Sequence, residues 1–214
     1  MITARFNEKQ KEAMRLLLDH NNGITELCFG GAAGGGKSYL GCAWIITMAL
    51  NYPGTRYLIG RAVLKVLKET TLLTFFDVCK KWGLVEGEAW TFNTKDNVIK
   101  FTKKYGGSMI LLKDLFLYPS DPEFDSLGSL EITGAVLDEV SQISQKAKDI
   151  VMSRIRYRLD DYNLIPKMLL VTNPAKNWSY TQFYLPWKEG RIASYRAFVQ
   201  ALPNDNKEYL SDHY

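Results

Sequence analysis

The sequence predicts an α/β fold: a mostly parallel central sheet flanked by helices, with a β-hairpin insertion. Short apolar runs alternate with helical patterns along the chain. A glycine-rich turn joins the first apolar run directly to a helix. No internal repeat or low-complexity tract interrupts the pattern. With 214 residues the chain has the length of one large domain and ample sequence for a core.

The elements follow in order. Phe6 to Asp19 carries Phe6, Ala13, Met14, Leu16, Leu17 and Leu18 among charges, which predicts an amphipathic helix with Asn7 as its cap. Asn21-Asn22-Gly23 ends it, and Ile24 to Phe29 predicts a buried strand. After the glycine-rich turn comes a helix from Lys37 to Leu50. Arg56 to Gly60 is a second strand, and Val63 to Trp82 a helix. Val98 to Phe101 and Met109 to Leu112 form the hairpin, turning near Gly106-Gly107. Pro119 to Ser129 is a polar loop. Ile132 to Leu137 is a strand, Gln145 to Leu159 a basic helix, Met168 to Val171 a strand and Ala193 to Val199 a last one.

Composition excludes several classes. The 46% hydrophobic and 23% charged residues are globular usage, not that of a disordered chain. Lys and Arg number 27 against 23 Asp and Glu, a net charge of +4, which neither indicates nucleic-acid binding nor opposes it. Cys28, Cys42 and Cys79 form no CxxC, and His20 and His213 lie far apart, so neither a disulfide framework nor a zinc site is expected. The apolar run Leu40 to Leu50 is about half the roughly 20 residues a membrane span needs. No signal peptide is evident, and a soluble cytoplasmic protein is expected.

The chemistry is concentrated at strand ends. Gly31-Ala32-Ala33-Gly34-Gly35-Gly36-Lys37-Ser38 fits G-x-x-x-x-G-K-[ST] at every position and lies between a strand and a helix. Backbone N–H groups of Gly31, Ala32, Ala33, Gly34, Gly35 and Gly36 would wrap phosphates, with Lys37 on the β- and γ-phosphates and Ser38 on Mg²⁺. Ala135-Val136-Leu137-Asp138-Glu139 is an apolar strand ending in two carboxylates. Asp138 is the second magnesium-holding residue and Glu139 the general base. ATP and Mg²⁺ are thus the expected ligands, and the fold narrows to a P-loop NTPase of the ASCE type. Thr172 and Asn173 end a further apolar strand, where a polar tip can sense the γ-phosphate; a plain strand-to-turn signal is the alternative. Gln10 is a possible adenine reader through its amide, although its helix position favours a solvated side chain. Arg61, Arg154, Arg156 and Arg158 are the arginines considered for transition-state stabilisation. With Lys65, Lys68, Lys146 and Lys148 they also offer contacts to a phosphate backbone. The cluster Trp178, Tyr180, Phe183, Tyr184 and Trp187 suits core or docking contacts more than base stacking.

This ordered set resembles the ATPase domain of the large terminase subunit of tailed bacteriophages. The resemblance covers almost the full length, from the Phe6…Gln10 helix through the phosphate loop, Arg61, the hairpin, Asp138-Glu139 and Arg154-Ile155-Arg156 to Thr172-Asn173-Pro174. It implies a motor that hydrolyses ATP to drive double-stranded viral DNA into a procapsid. Gln10 would read adenine, and Thr172 and Asn173 would couple hydrolysis to movement. Some members carry an arginine just before the Asp-Glu strand. Asp125 to Ser129 holds none here, which leaves Arg61 and Arg156 as finger candidates. The implied partners are the portal protein, the small terminase subunit and further copies in a ring, a pentamer. The implied setting is the host cytoplasm, with no membrane. Residues 1–202 form the expected ATPase domain, and 203–214 begin a linker toward a nuclease domain that this chain lacks. A helicase-like DNA translocase and a nucleotide-gated binding protein with little turnover are the rival readings.

Overall fold

The structure, a computed structural model, describes residues 6–31, 36–202 and 204–205. Its strands are β1 (Glu26–Gly31), β2 (Arg56–Arg61), β3 (Trp90–Asn93), β4 (Val98–Phe101), β5 (Met109–Asp114), β6 (Gly134–Leu137), β7 (Lys167–Thr172) and β8 (Arg196–Ala201). They form one sheet in the order β3-β4-β5-β2-β6-β7-β1-β8. The six strands from β5 to β8 in that order run parallel, while β3 and β4 are antiparallel. β7 lies between β1 and β6, so the strand ending in Thr172 separates the glycine-rich turn from the Asp-Glu pair. That extra strand is the mark of the ASCE arrangement the sequence predicts.

The helices are α1 (Glu8–Leu18), α2 (Lys37–Asn51), α3 (Leu64–Glu69), α4 (Thr71–Lys81), α5 (Gln145–Ser153) and α6 (Leu185–Lys188). Leu27, Phe29, Val136 and Leu169 face one core with residues of α1, α2 and α4. Cys28, Leu58, Leu137 and Leu170 alternate with them and face a second core with residues of α5. Period-two alternation thus divides each strand between two helical layers. Helix α2 is the most apolar: Leu40, Trp44, Ile45 and Ile46 are fully buried. The apolar run is a core helix, and among the described residues no helix is long and apolar enough to cross a membrane.

Local boundaries differ from expectation at identifiable places. The helix expected over 63–82 is two helices, broken at Thr70 (φ −130°, ψ −78°). The helix expected to Leu159 stops at Ser153, so Arg154, Arg156 and Arg158 share no helical face. Ile132 makes only an isolated bridge to Ile155. The hairpin is part of the main sheet, because β5 pairs in parallel with β2, and β3 extends it to a three-strand meander. The expected linker falls mostly on residues 203 and 206–214, outside the described residues.

Two buried charge clusters anchor the amino end of the sheet. Glu26 accepts from Lys148 Nζ and Arg196 Nε at 2.7 Å each, and Lys148 is 1% exposed. Lys148 is therefore a core residue and not a DNA contact. Glu26→Ala leaves two cations without their shared partner, and a loss of about 3–5 kcal/mol is expected. Urea unfolding should show a lowered midpoint at unchanged slope.

Lys167 Nζ donates to Leu16 O (2.8 Å), Ile24 O (2.9 Å) and Asn22 Oδ1 (3.0 Å), pinning the end of α1 to β7. Burial pulls its pKa from 10.5 down to about 8. The unfolded chain therefore binds more protons between those values, and this lysine's contribution to stability rises with pH from about 8 toward 10.5. The buried Cys28, Cys42, Cys79 and Tyr57 are pushed up and oppose it at alkaline pH. The observable is therefore a difference. From pH 7 to 9, wild type should gain stability relative to Lys167→Met; parallel pH profiles of urea unfolding would exclude the effect.

Candidate active site

The site lies at the carboxyl edge of the parallel strands, where β1, β6, β7 and β2 end. Gly31 closes β1 so near β8 that an added Cβ would stand 1.7 Å from the Ala201 carbonyl oxygen. Gly36 caps α2 in the left-handed region (φ 68°, ψ 24°), which favours glycine. Lys37 opens α2, and its Nζ lies 3.2 Å from Gly31 O. Burial lowers the Lys37 pKa, while the charges of Glu139 and Asp138 oppose that shift. Ala32, Ala33, Gly34 and Gly35 lie outside the described residues.

Asp138 follows β6 and is 2% exposed. Its Oδ1 accepts the Glu139 N–H at 3.0 Å. Its Oδ2 lies 3.4 Å from Ser38 Oγ, 3.4 Å from Arg61 Nη1 and 2.5 Å from Thr71 Oγ1. Glu139 occupies the left-handed region (φ 52°, ψ 52°), a conformation that costs a non-glycine residue about 1–3 kcal/mol. The turn reverses the chain directly after Asp138. From β7, Asn173 Nδ2 donates to Glu139 Oε1 at 2.7 Å. Asn173 Oδ1 is buried without a partner among the described residues. Thr172 Oγ1 donates to Asn173 O at 2.8 Å and faces no carboxylate.

Ser38 and Asp138 bring a hydroxyl and a carboxylate together, both hard oxygen donors. Among the described residues no group of three or more His, Cys, Asp or Glu could hold a metal alone. A cation here would take its other ligands from phosphates and water, as Mg²⁺ does. The donor set fits that ion.

Other expected residues fall differently. Gln10 is 3% exposed, not solvated. Its Oε1 accepts from Asn7 N (3.0 Å) in a capping box, and its Nε2 donates to Gly36 O (2.9 Å). It ties α1 to the end of the phosphate loop. Arg61 stands at the site with its side chain 14% exposed. Arg156 does not. Its N–H donates to Ile132 O, ahead of β6, while Asp138 lies beyond the far end of that strand. Four strand residues separate those ends by about 13 Å. The Arg156 side chain is exposed beside Glu131 at 3.4 Å. Lys146 and Arg158 pair with Glu123 and Asp161, so the basic stretch is not one open strip. The aromatic cluster packs on itself and on Phe198, with Tyr180 and Tyr184 stacked at 5.4 Å and Phe183 fully buried. It walls a cavity of about 370 Å³ beside Asn173, on the sheet face opposite α2.

Thr70 and Thr71 are the site residues that sequence reasoning misses. Adjacent β-branched residues inside a helical pattern are their one signal, and a weak one.

Residues 23–214 match a family described as phage terminase large subunit. No curated protein sequence matches the chain. Among solved structures, the large terminase of a thermophilic bacteriophage aligns with a TM-score of 0.76 at 15% identity, over 98% of this chain and 48% of that one. The same terminase in complex with ATP-gamma-S aligns at 0.70 and 15% identity, over 98% and 47%. The large terminase ATPase domain of a Thermus phage aligns at 0.62 and 13% identity, over 99% and 91%. At such identities the likeness establishes the fold. The chain spans about half the length of the large terminase it matches.

Proposed function

Because the chain belongs to the phage terminase large subunit family, we propose that it is that protein's ATPase motor, hydrolysing Mg²⁺-ATP to drive double-stranded viral DNA into a procapsid. The observation that carries the reading is the convergence of Lys37, Ser38, Asp138, Glu139 and Asn173 from three strand ends. Lys37 neutralises charge on the β- and γ-phosphates. Ser38 and Asp138 would hold the magnesium ion, which would supply further charge neutralisation at the phosphates. Water attacks the γ-phosphorus, the bond to the ADP oxygen breaks, and the water's proton passes to Glu139. Asn173 holds the Glu139 carboxylate through Nδ2. With Thr172 it links that event to the end of β7, where coupling to movement begins.

Arg61 supplies positive charge from within the chain. Arg156, whose exposed side chain lies away from this chain's own site, is the candidate for acting on a neighbouring subunit's nucleotide, in a ring such as a pentamer. Gln10 has one amide hydrogen beyond its bond to Gly36 with which to meet adenine. The portal protein, the small terminase subunit and the host cytoplasm complete the proposal. The test is ATP turnover by the purified chain with and without Mg²⁺, alone and with the family's portal and DNA. Metal-dependent hydrolysis supports the reading; tight ATP binding without turnover under every condition would refute it in favour of a nucleotide-gated binding protein.

A further inference from the structure

We infer that Thr71 is a positioning residue for Asp138, presented to it by the helix break at Thr70. The inference rests on the magnesium-ATP reading above. Thr70 leaves helical geometry between α3 and α4, and two successive hydroxyls then serve two different site residues. Thr70 Oγ1 accepts from Arg61 Nη1 at 2.9 Å and donates to Val66 O at 2.7 Å. Thr71 Oγ1 donates to Asp138 Oδ2 at 2.5 Å, shorter than the 3.4 Å contacts from Ser38 and Arg61 to the same oxygen. Thr71 is 2% exposed, so water does not compete for that bond.

The geometry fixes the carboxylate plane from two sides. Oδ1 is held by the Glu139 N–H and Oδ2 by the Thr71 hydroxyl, which comes from a separate helix. Residues that orient a metal-holding group in this way change metal affinity or activity by about 10–100-fold when removed. An unbroken helix over 63–82 would carry the Thr71 hydroxyl around the helix and away from β6.

The test titrates Mg²⁺ against binding of a fluorescent ADP analogue. Thr71→Val keeps the shape and removes the hydroxyl. It should raise the Mg²⁺ concentration for the half-maximal gain in affinity by about tenfold. Affinity in EDTA and melting temperature should stay at the wild-type values, and Thr71→Ser should restore the wild-type titration. A Thr71→Val titration that superimposes on wild type overturns the inference, as does an equal loss of affinity in EDTA. If Thr71→Val melts early, Thr71→Ser and Thr71→Ala decide: a shift in Ala alone supports the inference, and equal shifts overturn it. A wild-type chain with no metal-dependent nucleotide binding defeats the ATPase reading itself. Metal-dependent binding in wild type with an unshifted Thr71→Val defeats only this inference.

Discussion

Glu139→Gln is expected to bind ATP at least as tightly as wild type and to turn it over roughly 10²–10⁴-fold more slowly, the range for loss of a general base. The two halves of that result have separate physical causes. ATP brings several negative charges to a pocket that already holds Asp138 and Glu139 near Lys37. Removing one of those carboxylate charges lessens repulsion, so affinity does not fall. Turnover falls because an amide cannot accept the water's proton. The substitution is nearly isosteric, and Gln can keep an oxygen facing Asn173 Nδ2, now 2.7 Å from Oε1. The strained turn at φ 52° is equally open to Gln, so melting should be unchanged. Nucleotide-analogue binding and single-turnover hydrolysis measure the two halves independently. Hydrolysis within a few-fold of wild type would remove Glu139 from the mechanism.

The parts of this site that are legible in sequence are those encoded locally. Gly31 to Ser38 announces itself because phosphate wrapping needs glycine, lysine and hydroxyl at fixed spacing. Asp138-Glu139 is legible because it terminates an apolar run. The meeting of β1, β6 and β7 at one edge follows from the same logic, since strands that end in chemistry must share an edge, but the order of the strands does not. What is not legible depends on partners far away in the chain. Thr71 meets Asp138 across 67 positions, and no local pattern marks it. Gln10 reads as a solvated helix residue until Asn7 takes its oxygen and Gly36 its nitrogen, 26 positions on. Lys148 reads as part of a basic face until Glu26, 122 positions earlier, is found against it. Arg156 looks close to Asp138-Glu139 in sequence, yet the chain has returned to the amino end of β6 by the time it appears. β3 is missed because two of its four residues, Thr91 and Asn93, are polar and exposed, whereas β6, equally short, is wholly apolar.

Asn173→Asp should lower turnover at neutral pH and shift the pH–rate profile upward, and Asn173→Ala, which loses a donor but adds no charge, should lower turnover with a smaller upward shift. In the native site a neutral amide donates to Glu139 Oε1 at 2.7 Å. Asn173→Ala removes that donor and adds no charge beside Glu139. Hydrogen bonds to charged groups are worth about 1.5–3 kcal/mol, so a loss of roughly 10- to 150-fold is expected if the bond persists in the transition state. Asn173→Asp places a second carboxylate at the same separation, where two cannot both ionise and the pair retains a proton. A proton shared between them is one that Glu139 cannot accept from water. Raising the pH removes it and restores part of the activity, which no loss of packing would do. The two variants together therefore separate an orienting hydrogen bond from a mere strand-to-turn signal at Asn173-Pro174. If both variants lose activity equally and keep the wild-type pH profile, Asn173 does not act through Glu139. If the profile moves further in Asn173→Asp than in Asn173→Ala, the end of β7 bears directly on Glu139. A change at that strand end, whether made by mutation or by a moving element, then alters the rate of hydrolysis through this one contact.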